Sequence, residues 1–237
     1  MADGRRPALV VCAHGTRDEQ GRATVRGVVE AVAARVPGVE VLEAYVDVHG
    51  PEVGDVVAAV PPAPGDAVAA VVVSLLLAAG YHVHVDIAAA VSGRPDVLVS
   101  CALGPDDRLV DLLVDRLVRA GAEPGGAVVL APAGSSDARA TADNAETAAR
   151  LARRWGGPVT VGYAAGPVPT VADAVAAARA GTEEATVAVA SYLLAPGAFQ
   201  RRVEAAGGDV VTGPLAPDPR VVEIVVTRYR DALRGPP

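Results

Sequence analysis

The sequence predicts an α/β protein of two tandem domains, each a four-stranded, mainly parallel sheet flanked by helices. Three observations predict it. Hydrophobic residues make up 51% of the chain but aromatic ones only 3%, so the core must be Val, Ala and Leu; that mixture suits strands buried on both faces beneath Ala-rich helices. Strand-like apolar runs alternate with helix-like stretches along the whole chain. The second half repeats the order of the first.

Taken in order, the run "ALVVCAH" (8–14) predicts a first strand, followed by a helix over 19–35. "VEVLEAYVDV" (39–48) predicts the second strand, with a helix over 51–60, and "AVAAVVVSLLL" (67–77) the third, with a helix over 84–92. "DVLVSCAL" (96–103) predicts the fourth, with a helix over 105–120 entered through Asp106 and Asp107 as capping acids. The second half then predicts strands near 127–131, 158–164, 185–194 and 209–212. Its helices fall near 137–154, 170–179, 198–206 and 218–233. A βαβα order with short connections implies parallel pairing and right-handed crossovers.

The halves also correspond residue by residue. "VVCAHGTRD" (10–18) answers "VLAPAGSSD" (129–137), "EAYVD" (43–47) answers "VGYAA" (161–165), and "LLAAGYH" (76–82) answers "LLAPGAF" (193–199). "GPDDRLVDLLVDR" (104–116) answers "LAPDPRVVEIVVTR" (215–228). Four matches in the same order indicate a duplication. The boundary falls in the turn-rich "AGAEPGGA" (120–127), giving domains at 1–121 and 127–237.

Composition excludes several classes. A net charge of −7 without a Lys/Arg-rich block argues against nucleic acid as a partner. Two cysteines, Cys12 and Cys101, form neither a disulfide framework nor a CxxC pair and fit a reduced cytoplasm. The opening residues lack the apolar core of a secretory signal. The uncharged stretch from Ala67 to Val85 is β-branched and broken by Gly80, which reads as a buried strand and loop rather than a membrane span.

Chemistry-bearing residues gather at the predicted strand ends of the first half. The chain has four histidines: His14, His49, His82 and His84. His14 ends the first strand, Asp47 lies near the end of the second, and His82 follows the third; their counterparts in the second half are Ala133, Ala165 and Phe199. Ligands of open parallel sheets bind beyond the carboxyl ends of the strands. Two imidazoles and a carboxylate suit a divalent first-row metal, and the imidazoles suit proton abstraction near neutral pH. In "HGTRD", Gly15 permits close backbone approach to a ligand, while Thr16 and Arg17 lie near a helix N-terminus that favours anions. Asp86, four residues beyond His82, is placed to orient that ring, or else serves as an acid in the first helical turn. His84 points away from His82 in a helix, His49 reads as a turn residue, Cys12 as a buried thiol, and Trp155 as packing.

The segments "VVCAHGTRD", "LLLAAGYHVHVDI" and "LGPDDRL" resemble the class II, CbiX-like sirohydrochlorin chelatases, and the resemblance spans essentially the whole chain as the two-copy form of that family. It implies two chelatase-like domains with the active site in the first. It implies insertion of Co²⁺ or Fe²⁺ into sirohydrochlorin, with Ni²⁺ and Zn²⁺ also compatible, in cobalamin or sirohaem biosynthesis. The metal is a substrate, and no cofactor is permanently bound. His14 and His82 are then the metal-handling, proton-accepting pair, and Asp47 stands where the family often has glutamate. Gly15, Thr16, Arg17 and Tyr81 are the substrate-binding candidates, with Arg94 a further cation for the substrate carboxylates. The implied partners are sirohydrochlorin and the metal ion, without nucleic acid or membrane, for a monomer or homodimer. The rivals are a non-catalytic tetrapyrrole or metal carrier and a hydrolase using His14 for phosphoryl transfer.

Overall fold

A computed structural model describes residues 6–80, 82–180 and 186–235, leaving the side chains of residues 82–84 outside the described set. The first half forms β1 (Ala8–Ala13), α1 (Glu19–Arg35), β2 (Val41–Tyr45), α2 (Val53–Ala59), β3 (Ala70–Ser74), a π-helical turn (His82–Ile87) running into α3 (Ala88–Val91), β4 (Val97–Val99) and α4 (Asp107–Arg119). The second forms β5 (Ala127–Pro132), α5 (Ala138–Trp155), β6 (Val159–Val161), α6 (Val171–Arg179), β7 (Val187–Tyr192), α7 (Ala198–Glu204), β8 (Val210–Val211) and α8 (Pro219–Arg234). The strands are shorter than the apolar runs that predict them. Residues beyond the ladder, such as Leu75, remain buried without pairing as strand.

Each half builds a four-stranded parallel sheet, ordered β2-β1-β3-β4 and β6-β5-β7-β8. Strand alternation sends Ala8, Val10 and Cys12 of β1 to one face, where they join Val72, Val53, Val57 and Ile87 in a core beneath α2 and α3. The intervening Leu9 and Val11 are also fully buried. A sheet covered on both faces explains why its strands read as continuous apolar runs rather than alternating ones. Helix α1 buries Val25, Val28, Val29 and Val32, the single stripe of an amphipathic helix.

The compact units are not the two contiguous halves. One comprises residues 1–103 and 217–237, the other residues 104–216. Helix α8, from the second repeat, packs on α1, β3 and β4, and α4, from the first, packs on α5 and β7. The repeats have therefore exchanged their last helices, and the domain boundaries expected at 121 and 127 mark the duplication rather than the packing. Matching arginines fasten each exchanged helix. Arg228 donates to the carbonyls of Ala102 (2.9 Å) and Leu103 (2.8 Å), and Arg116 donates to that of Leu215 (3.3 Å). The helix caps match too, since Asp106 and Asp218 accept the amides of Arg108 and Arg220 and pair with those guanidiniums. The capping expected of Asp106 is thus observed, while Asp107 lies in the first turn and pairs with Arg150 (3.0 Å).

A fragment ending at residue 121 would leave the surface that α8 covers open to water. Produced alone, 1–121 is expected to lack a cooperative thermal transition, and co-production with 127–237 is expected to restore one, as measured by circular dichroism and gel filtration.

Candidate functional site

β1 lies between β2 and β3 in its sheet. The chain leaves β1 for β2 on one side and returns past it to β3 on the other, so the carboxyl ends of β1 and β3 flank the point where the winding reverses. Crevices at such points are where open α/β sheets bind ligands. His14 follows β1 and the π-helical turn that begins at His82 follows β3, so both chain positions come after the carboxyl ends that flank this reversal.

Asp47 is joined to His14 through the backbone. The β1–β2 ladder continues past both strands: Val46 donates to the carbonyl of Ala13 (2.9 Å) and Asp47 to that of His14 (3.0 Å). Gly15 makes this approach possible. Its φ is 102°, and a Cβ there would overlap the Asp47 carbonyl oxygen. The second repeat holds the same geometry without the chemistry, since Ala165 donates to Ala133 (2.9 Å) and a Cβ on Gly134 (φ 101°) would overlap the Ala165 carbonyl. Gly15 is therefore needed for one loop to pass another. The role expected for it, admitting a ligand to the backbone, is not required to explain it.

Thr16 likewise has a counterpart. Its hydroxyl accepts the Asp18 amide (3.1 Å), as Ser135 accepts that of Asp137 (3.1 Å). Asp18 in turn caps α1 by accepting the Gly21 amide (3.1 Å), and Glu19 adds a second acid to the first turn. The anion preference expected at this helix N-terminus is thus met by the chain's own carboxylate. Arg17 is exposed beside it, His14 is half-buried and Asp47 is exposed.

Arg94 is corrected by its place in the fold. It precedes β4, at the opposite end of the sheet from His14. There it pairs with Asp96 (2.9 and 3.0 Å) and donates to the carbonyls of Val57 (2.7 Å) and Val60 (3.0 Å). It clamps the end of α2, with its guanidinium engaged by Asp96 and the Val57 and Val60 carbonyls. The pairing holds the Asp96 carboxyl well below the usual range.

Two features here escaped sequence reading. The first is the turn after Asp47. Val48 has φ 72°, rare for any side chain and strained for a β-branched one, at a cost on the order of 1–3 kcal/mol. Its repeat partner is Gly166 at φ 77°, which adopts this conformation without penalty. Extending the "EAYVD"–"VGYAA" match by one residue would have shown it. The second is a cluster on β2: the buried Tyr45 hydroxyl donates to the Glu43 carboxylate, and burial together with that carboxylate pushes the phenol well above its ordinary range. The His49 ring packs 3.9 Å from that of Tyr45, with its Nδ1 3.1 Å from the Gly50 carbonyl. His49 is a turn residue, as expected.

The segment after β3 also differs between repeats. In the second it is the regular helix α7, anchored by Gln200, which accepts from the Ser191 hydroxyl (2.5 Å) and donates to the Thr212 carbonyl (3.2 Å). In the first it is π-helical from His82, and π turns recur at functional sites. Tyr81 and the rings of His82 and His84 lie outside the described residues. Asp86 is half-buried in this turn. Among the described residues no three of His, Cys, Asp and Glu gather as a metal cluster. Nor is any helix among them long and apolar enough to cross a membrane.

Two parallel four-stranded sheets from a duplicated chain, with a histidine–glycine turn at one sheet's carboxyl edge, define a tandem α/β protein of the chelatase fold. The chain belongs to the CbiX family, which it matches over residues 8–120 and 127–232. Its fold is that of SirB from Bacillus subtilis with Fe³⁺ (19% identity, 96% of this chain and 95% of that one, TM-score 0.80). It is equally that of the sirohydrochlorin chelatase SirB from Bacillus subtilis subspecies spizizenii in complex with cobalt (20%, 98% and 97%, TM-score 0.75). CbiX, the terminal enzyme for biosynthesis of sirohaem in denitrifying bacteria, is also similar (20%, 94% and 98%, TM-score 0.65). No curated protein sequence matches the chain.

Two outcomes follow from this geometry. Gly15→Ala and Gly134→Ala should each destabilise the fold by about 1–3 kcal/mol in urea denaturation, because the strained φ is common to both. Cys12 is fully buried, which pushes its thiol up to about 12. At pH 8 it stays protonated, so the native protein should titrate one thiol, the exposed Cys101, and the denatured protein two.

Proposed function

We propose that the protein is a sirohydrochlorin chelatase that inserts Co²⁺ or Fe²⁺ into the macrocycle, in cobalamin or sirohaem biosynthesis. The observation that carries this reading is the contrast between repeats. The backbone turn at Gly15 and Asp47 recurs at Gly134 and Ala165, yet the histidine and carboxylate occur only in the first. Folding therefore does not demand them. Membership of the CbiX family supports the chemistry assigned to them.

The reaction exchanges two pyrrole N–H protons for one divalent ion. His14 and His82, from loops bordering the β1–β3 crevice, are the bases that receive those protons, since neutral imidazole accepts protons near pH 7. The same imidazoles, with Asp47, hold the incoming ion. A set of few protein ligands releases a metal readily, where a closed four-ligand site retains it. Asp86 orients the His82 ring. Gly15, Thr16, Arg17 and Tyr81 border the macrocycle, and exposed Arg17 supplies a cation for its carboxylates. The protein works in the cytoplasm without a resident cofactor, as a monomer or homodimer.

The test is an absorbance time course of sirohydrochlorin with Co²⁺ or Fe²⁺. His14→Ala and His82→Ala should each slow metal insertion by about 10²–10⁴-fold, the usual contribution of positioned bases. Wild-type turnover in either variant would contradict the assignment. Tight one-to-one binding without turnover in the unaltered protein would favour a carrier.

A further inference from the structure

The turn after Asp47 has a form that the repeat does not share. The Asp47 amide donates to His14 (3.0 Å), its carbonyl accepts the His49 amide (2.9 Å), and its carboxylate accepts the Val48 amide (2.6 Å). The bond from His49 back to Asp47 closes a three-residue γ-turn centred on Val48 at φ 72°, the rare and strained kind. The second repeat cannot make it. Gly166 takes the place of Val48, and Pro167, in the place of His49, has no amide hydrogen to donate. The strained turn thus occurs only in the repeat that carries the carboxylate, and the relaxed version occurs where alanine replaces it. Val48, though exposed, lies next to the histidine turn: a Cβ built on Gly15 would lie 3.2 Å from that of Val48. The His49 ring, packed on buried Tyr45, braces the far side.

We infer that Val48, with the His49 amide, is a positioning device that fixes the Asp47 carboxylate beside His14 for the metal ion. Strained backbone persists where surrounding structure enforces it and where function uses it. Three backbone and side-chain bonds at one residue, set between a glycine turn and a packed tyrosine, constitute that enforcement. A flexible turn would let an exposed carboxylate sample many orientations and would weaken its hold on the ion. The inference rests on the proposed role of Asp47 as a metal ligand.

The test replaces the turn by that of the second repeat, Val48→Gly with His49→Pro, alongside Val48→Gly alone, Val48→Ile and Asp47→Ala, all in the full chain. The readouts are thermal midpoint, the KM for Co²⁺ and the KM for sirohydrochlorin. Val48→Gly removes strain, so its midpoint should be unchanged or higher while the KM for Co²⁺ rises about tenfold, the usual scale for residues that orient a ligand. The KM for sirohydrochlorin should hold, and Val48→Ile should keep the original KM for Co²⁺. A structural role alone predicts no such split between stability and metal affinity. If Asp47→Ala raises the KM for Co²⁺ but neither turn variant does, the positioning role is overturned and Asp47 stands as a ligand. If Asp47→Ala leaves it unchanged, both fall.

Discussion

The α-carbon of Gly15 lies against the carbonyl of Asp47, and no side chain fits between them. That approach lets the β1–β2 ladder run one residue beyond β1 and two beyond β2, so that the His14 carbonyl and the Asp47 amide meet. Two residues distant in sequence are thereby tied to one backbone bond before any side chain acts. The central place of β1 completes the arrangement, because the loop after β3 must then lie on the other side of His14. In the histidine–glycine pair at the end of this central strand the two residues are separable: the glycine lets the loops meet, and the histidine is not needed for that meeting, since Ala133 replaces it in the second repeat.

The duplication separates structural from chemical requirements within one molecule. Gly15 and Gly134 share one left-handed turn, and Thr16 and Ser135, Asp106 and Asp218, and Arg116 and Arg228 each make the same kind of bond in their own setting. These belong to the fold. His14 against Ala133, Asp47 against Ala165, Val48 against Gly166, and a π-helical turn against a regular helix are differences that lie beyond the carboxyl ends of the strands.

The sequence made the sheets legible because burial on both faces leaves an unbroken apolar run, and the repeats made the strand ends legible by alignment. His14, Asp47 and the caps at Asp106 and Asp218 could be placed on that basis. Three things could not. The exchange of α4 and α8 is invisible because an apolar stripe specifies that a helix packs, not which sheet it covers. The Arg94 clamp was missed because a lone arginine carries no mark of which edge of a sheet it occupies. The Val48 turn was hidden because valine is a strand former, and only its position opposite a glycine betrays the left-handed backbone.

The exchanged helices bear on the order in which the chain becomes a protein. The sheet of the first repeat is covered on one side by α8, which occupies residues 219–234 of 237. On the ribosome, β1 and β2 emerge long before the helix that seals their sheet, with all the strands of the second repeat made in between. Until then, apolar surface stays open to water and to other chains. The first repeat's sheet is thus covered only after β5–β8 have been made, so a chain cut before α8 leaves that sheet open.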